Sequence, residues 1–309
     1  MERVTIFELG ALYRDNFRVT GFHFGGNKKS ACIIGAMRGN ENQQLYTCSL
    51  LIKKLKELED RGKLSKKHGI LVIPCANPYS LNVKKRFWTI DNTDINRMFP
   101  GYDQGETTQR IAAGVFDAVK DYDYGIQFPS YYMPGNFLPH IRVMKTGMED
   151  LDLAKQFEMP YVILHDPRPF DTTTLNYNWQ IWESKAFSVY TTSTSSVNKR
   201  SAKEAVGGIL SFLSKQGVLN YHKFSGYNSA IVKGSSLINL RTTEAGFFDS
   251  KVDVGDEVLK GQLLATVHDV YTNEILSELH APVDGVVFFM HSDPMTYANT
   301  AVIKIIEDE

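Results

Sequence analysis

The stretch Cys32-Ile33-Ile34-Gly35-Ala36-Met37-Arg38-Gly39-Asn40-Glu41-Asn42 reads as a buried strand, a tight glycine turn and the start of a helix. Its first half is small and apolar, as a strand covered on both faces requires. Gly35 and Gly39 permit the positive φ of a sharp turn, and Asn40 is the expected N-cap ahead of an acidic first turn. A strand running straight into a helix is the building unit of an α/β sheet, and such sheets hold ligands at the C-terminal ends of their strands. Arg38 and Glu41 are therefore the first candidate functional residues.

The same alternation continues on either side. Residues 3–9 and 17–24 alternate polar and apolar side chains, which predicts antiparallel strands ahead of the turn Gly25-Gly26-Asn27. Leu45, Cys48, Leu51, Ile52, Leu55 and Leu58 recur at helical spacing, and Gly62 ends that helix. Residues 70–74 predict a second buried strand, closed by Asn77-Pro78-Tyr79. Residues 79–101 are too polar and turn-rich for a regular element, and loops of that length are commonly functional. Helices are then expected at 106–120, 151–157, 175–185 and 201–216. Strands are expected at 124–128, 141–144, 161–164 and 187–190, with an aromatic, turn-rich loop at 129–139 bordering the pocket. This is an α/β pattern, a mixed sheet flanked by helices, through residue 222. From 223 to 309 the helical periods stop, and short apolar runs separated by turns predict a small all-β domain.

Bulk properties exclude more than they assign. The 309 residues are 43% hydrophobic and 22% charged, with a formal net charge of −1, an ordinary globular balance that gives no electrostatic case for nucleic acid or an anionic membrane. The lysines at 53, 54, 56, 66 and 67 read as solvated helix and loop charges. The first residues carry no apolar segment of signal or membrane-spanning type, so a cytoplasmic location is expected. Cys32, Cys48 and Cys75 are widely separated in apolar surroundings and read as buried, reduced thiols.

The ordered set Gly21-Phe22-His23-Phe24-Gly25, Gly35 to Glu41, Asn77-Pro78, Arg86 and Asp94-Ile95-Asn96-Arg97-Met98-Phe99-Pro100-Gly101, followed by the β tail, resembles the succinylglutamate desuccinylase/aspartoacylase family, relatives of the zinc carboxypeptidases. The resemblance implies a zinc-carboxypeptidase-like α/β domain and one zinc held by a His and a Glu of an HxxE loop plus a later His, with a glutamate as general base. Three protein ligands leave a fourth position for a water that the metal acidifies, and the base takes its proton as it attacks an amide carbonyl.

At these positions the chain departs from the pattern. Arg38 stands at the first histidine, Glu41 at the glutamate ligand, Gln127 at the second histidine, and Tyr190 at the general base. Arginine stays protonated and has no lone pair for a metal, and a glutamine oxygen is a weak ligand. Zinc is thus implied by the family but not expected at the usual site. His140 and His165, near strand ends, are the alternative metal ligands. Arg86, Asn96 and Arg97 match residues that hold substrate carboxylate and polarise the carbonyl, and a guanidinium fork suits a carboxylate. Arg38 is expected to pair with Glu41. Glu244 in Thr242-Thr243-Glu244-Ala245-Gly246 imitates the base motif but falls in the β domain and reads as a turn residue.

Residues 254–264 with 280–287 resemble the biotinyl/lipoyl-like barrel-sandwich. The attachment lysine is missing, with Asn273-Glu274-Ile275-Leu276-Ser277-Glu278 at the hairpin, so a structural cap without biotin or lipoate is expected. The function expected is binding of a small carboxylate of N-acyl amino acid type without zinc-dependent hydrolysis. An active zinc amidohydrolase with atypical ligands and a metal-free enzyme using Arg38, Glu41 and Tyr190 stay open, as does a homo-oligomer.

Overall fold

The computed structural model describes residues 1–11, 15–221 and 227–308. The chain divides into two compact units, one of Met1–Ser130 with Pro139–Ile231 and one of Tyr131–Leu138 with Val232–Glu309. The expected boundary at 222/223 falls outside the described residues.

In the first unit the strands are β1 (Glu2–Leu9), β2 (Phe17–Gly25), β3 (Lys28–Ala36), β4 (His68–Cys75) and β5 (Tyr124–Gln127). After β6 (Gly135–Phe137), which belongs to the second unit, come β7 (His140–Met144), β8 (Tyr161–His165), β9 (Lys185–Tyr190) and β10 (Ala230–Lys233). They form a nine-stranded sheet in the order β1-β2-β4-β3-β5-β9-β7-β8-β10. The run β4-β3-β5-β9 is parallel, and β7 returns antiparallel to β9. The helices are α1 (Asn42–Asp60), α2 (Pro78–Asn82), α3 (Thr107–Val119), α4 (Leu151–Lys155), α5 (Leu175–Ile181) and α6 (Lys199–Lys215).

Strand periodicity explains why the central run is apolar throughout. Ala31 and Ile33 of β3, with Ile70 and Val72 of β4, enter the core beneath α1 and α6, whereas Cys32, Ile34, Leu71 and Ile73 enter a separate core on the face of α3 and α5. The three cysteines are free thiols, and burial pushes the Cys75 thiol up to about 12.

The opening stretch needs two corrections. Neither Gly35 nor Gly39 has positive φ; each is a glycine because a side chain would collide, Gly35 with the Pro74 carbonyl at 2.4 Å and Gly39 with the Ser80 backbone at 2.1 Å. The N-cap of α1 is Glu41, not Asn40, and no acidic residue occupies the first turn, because the Glu41 side chain folds back onto the loop before it. Residues 79–101 also hold more regular structure than expected, with α2 and a 3-10 turn at Ile95–Arg97 that the Asp94 side chain caps by accepting from Asn96 N–H.

The second unit consists of antiparallel sheets. Strands β11 (Ile238–Arg241), β12 (Gly246–Ser250), β13 (Glu257–Val258), β14 (Leu263–His268), β15 (Ile275–His280), β16 (Gly285–His291), β17 (Met295–Thr296) and β18 (Ala301–Glu307) form the sheets β11-β18-β16-β13 and β15-β14-β12-β17 around one apolar core. The aromatic segment expected as a packed loop belongs to this unit and holds a short strand, where β6 pairs with β16 and Tyr131 and Phe137 pack on Phe289.

Candidate functional site

Because β4, β3, β5 and β9 run parallel, their C-terminal ends lie along one edge of the sheet, and the loop after β3, Gln127 and Tyr190 all sit there. Register adds a finer constraint. Ile34, Gln127, Ser188 and Arg142 are successive cross-strand partners, so Gln127 and Arg142 share the sheet face that carries Ile34. Two residues further along, Tyr190 pairs with His140.

A first group centres on Arg38. Its Nη1 donates to Glu41 Oε1 at 2.9 Å and to Ser130 Oγ at 3.2 Å, while Nη2 and Nε donate to Asp94 Oδ2 at 2.7 and 3.1 Å. The side chains of Arg38 and Glu41 are 5% and 1% exposed, so the charges face each other with almost no water. Burial by itself opposes the Arg38 charge, but the attraction of Glu41 and then Asp94, with their hydrogen bonds, outweighs it and raises the guanidinium pKa. Glu41 Oε2 accepts from the Met37 and Arg38 backbone N–H groups at 2.7 and 3.1 Å, and Oε1 also accepts from Ser130 Oγ at 2.5 Å. The carboxylate thus accepts four hydrogen bonds, about as many as its lone pairs permit. Asp94 passes the network on, since its Oδ1 accepts from Asn96 N–H and Asn96 Oδ1 accepts from Gln127 Nε2 at 3.0 Å.

A second group centres on Asp171, on a 3-10 turn at Pro169–Asp171. Arg97 Nη1 donates to Asp171 Oδ1 at 3.4 Å and to the Phe170 carbonyl, and its guanidinium lies 5.1 Å from the Phe170 ring centre. His165 Nε2 and the Arg168 N–H each donate to Asp171 Oδ2 at 3.0 Å. Burial pushes the Asp171 carboxyl up, but the hydrogen bonds from His165 and Arg168 and the charge of Arg142 hold it well below the usual carboxylate range. Nearby, Tyr190 is stacked on His140 with ring centres 4.6 Å apart, and the Arg142 guanidinium lies 5.2 Å from its ring centre. Arg86 feels both groups. Burial and Arg38 lower its pKa, Glu41 and Asp94 oppose this, and Arg97 lowers it further.

Of the sequence candidates, Arg38, Glu41, Asn96 and Gln127 fall in one hydrogen-bonded network. Arg97 stands apart from it on Asp171, and Tyr190 lies on His140. Three contributors carried no assigned role from sequence: Asp94, visible in its motif; Asp171, which follows Pro167 and Pro169; and Ser130, which had no signal at all. His140 and His165 do not come together as metal ligands, since one is engaged with Tyr190 and the other with Asp171.

The residues that the resemblance assigns to the zinc position, Arg38, Glu41 and Gln127, do not fit the ion. A guanidinium offers no lone pair, Glu41 is saturated by four donors, and the Gln127 amide donates to Asn96. Among the described residues, no group of three or more His, Cys, Asp or Glu side chains is arranged to hold a metal.

Residues 27–214 match the succinylglutamate desuccinylase/aspartoacylase catalytic domain. The chain belongs to this family. It is 22% identical over 277 residues to the Nα-acetyl-L-2,4-diaminobutyric acid deacetylase of Halomonas elongata, covering 85% of this chain and 77% of that one. Its fold matches a succinylglutamate desuccinylase from Silicibacter sp. TM1040, with a TM-score of 0.82 at 19% identity over 99% of this chain and 95% of that one. It also matches the product-bound ectoine utilization protein EutE of Ruegeria pomeroyi, with a TM-score of 0.80 at 19% identity over 95% and 90% of the two chains. The family is zinc-carboxypeptidase-like, and the mixed sheet with C-terminal antiparallel sheets is its architecture. No described helix is long and apolar enough to cross a membrane.

Proposed function

We propose that this family member binds a small carboxylate of N-acyl amino acid type through Arg86, Asn96 and Arg97, and that it has lost zinc-dependent hydrolysis. The observation that carries this reading is the fourfold hydrogen bonding of Glu41, with the Arg38 cation fixed beside it. Zinc activation of a water needs an ion with an open coordination position, and a buried guanidinium locked between two carboxylates supplies neither. Carboxylate recognition needs only oriented cations and amide donors. Arg97 is one third exposed, and its contact to Asp171 is long at 3.4 Å, so an incoming carboxylate exchanges for Asp171 without opening the core. Tyr190, at the position of the base, then serves as a wall of the pocket, held flat by His140. The second unit is read as a barrel-sandwich domain without a biotin or lipoate attachment point.

Calorimetry with Nα-acetyl-L-2,4-diaminobutyrate, N-acetyl-L-aspartate and N-succinyl-L-glutamate tests the reading, alongside metal analysis of protein purified without chelator. Binding of at least one compound without turnover is expected, and Arg97→Ala should weaken it about tenfold, or ~1.4 kcal/mol. One tightly held zinc per chain together with hydrolysis would favour the active amidohydrolase.

A further inference from the structure

The near-zero net charge of the chain is a cancellation between its two units. Of 34 basic and 35 acidic residues, five basic and thirteen acidic lie in the second unit, which leaves 29 and 22 in the first, for net charges of −8 and +7. Each unit also carries a protruding or recessed apolar feature bearing its own sign of charge.

On the first unit, α1 and α6 enclose a groove of about 240 Å³. Leu50, Val206, Leu210 and Tyr221 contribute its apolar lining, and Lys53, Lys54 and Lys203 against the single carboxylate of Glu57 give it a net positive charge. Lys54 pairs with Glu57 at 3.2 Å, whereas Lys53 and Lys203 have no carboxylate partner among the described residues. Both are exposed. On the second unit, the turn joining β14 and β15 projects Tyr271, which is 94% exposed. Asp269 holds this turn rigid by accepting from the Tyr271 and Thr272 N–H groups, both at 2.8 Å. Glu274 beside it is exposed. Register places Ile275, His268, Phe247 and Met295 side by side across the sheet, so the tip ends a row whose Ile275, Phe247 and Met295 are 56%, 40% and 53% exposed. Leaving such a tip and row in water is unfavourable, and rigid tyrosines are effective anchors because they bury large area for little lost freedom.

We propose that the β14–β15 turn of one molecule docks in the α1/α6 groove of a second copy, with Tyr271 entering the groove and Glu274 meeting Lys203. The two features complement each other in charge, in apolar character and in shape, since a small groove receives a projecting side chain and not a flat surface. Because the two patches differ, a single contact joins copies head to tail, and two reciprocal contacts close a two-fold dimer.

Sedimentation velocity on the full chain over a concentration series tests this. Wild type is expected to self-associate, less so as salt rises, because the lysines and Glu274 are solvent-facing. A dimer with two reciprocal contacts and a longer head-to-tail series both support the proposal. Tyr271→Ala, at an exposed turn where folding is not at stake, should weaken association at least about tenfold, and Lys203→Glu about fivefold. Combining Lys203→Glu with Glu274→Lys should recover most of the lost affinity. A wild-type chain that stays monomeric at every concentration overturns the proposal, as does association that neither single substitution weakens.

Discussion

Two arginines among the candidate site residues are held in opposite ways. Arg38 is 5% exposed and clamped between Glu41 and Asp94 by four hydrogen bonds of 3.2 Å or less when Ser130 is included, two of them to Asp94 and one each to Glu41 and Ser130. Arg97 is 33% exposed and meets Asp171 at 3.4 Å, with Phe170 as its other support. The difference teaches which cation belongs to the framework and which is free to exchange partners. Removing a partner from a buried pair strands a charge in a place water cannot reach, whereas a cation one third exposed, as Arg97 is, is relieved by solvent.

The strongest way to break this comparison is to rebuild the metal site. Arg38→His with Gln127→His removes the fixed cation and presents two imidazoles beside Glu41. The folded double variant is expected to take up one zinc with a Kd of micromolar or tighter, about −8 kcal/mol, by competition with a chromophoric chelator. A folded variant that ignores zinc would show that positions 38 and 127 do not correspond to the metal ligands of relatives.

The next test compares the two ion pairs by stability. Glu41→Leu leaves Arg38 with Asp94 as its one remaining carboxylate and strands two backbone N–H donors, so denaturant unfolding should show a loss of about 3–5 kcal/mol. Arg97→Met should cost about 1 kcal/mol or less. Equal losses would erase the distinction between the framework cation and the exchangeable one.

Acid provides a smaller and more specific probe. The folded Asp171 carboxyl is held below its unfolded value by His165, Arg168 and Arg142, so its contribution is present above the ordinary carboxylate range. That contribution is lost as pH falls through the depressed folded value. Wild type should therefore melt above Asp171→Asn near neutrality, and the gap should close on acidification below about pH 4. A gap independent of pH would mean that Asp171 acts by shape, not by charge.

How much of this was legible in the sequence follows from what each feature depends on. The strand-turn-helix at 32–42 and the Asp94 to Gly101 motif were readable because they are local, a matter of periodicity and contiguous residues. The reason for Gly35 and Gly39 was not, because Pro74 and Ser80 approach them from elsewhere in the chain. The same holds for Asp171, some 74 residues from the Arg97 that it holds. The segment at 131–138 was legible only as a packed aromatic loop for a related reason. Phe137 is buried, but only the pairing of β6 with β16 says in which unit. Glu41 departs from its expected place in the first turn because Arg38 and two backbone donors outbid the helix for its carboxylate.

Ser130 allows the finest test, since it touches both members of the framework pair. It accepts from Arg38 Nη1 and donates to Glu41 Oε1, so it bridges the ion pair without carrying charge. Ser130→Ala removes one donor from a carboxylate that keeps three and one acceptor from a guanidinium that keeps Glu41 and Asp94. Neither charge is stranded, and the expected cost is about 1 kcal/mol, the net worth of an ordinary hydrogen bond. Carboxylate binding through Arg97 should be unchanged, because Ser130 has no contact with Asp171 or Phe170 among the described hydrogen bonds. A loss of stability approaching that of Glu41→Leu would mean that the hydroxyl, not the guanidinium, is what keeps the Glu41 carboxylate charged in the core, and the comparison between the two arginines would then rest on the wrong residue.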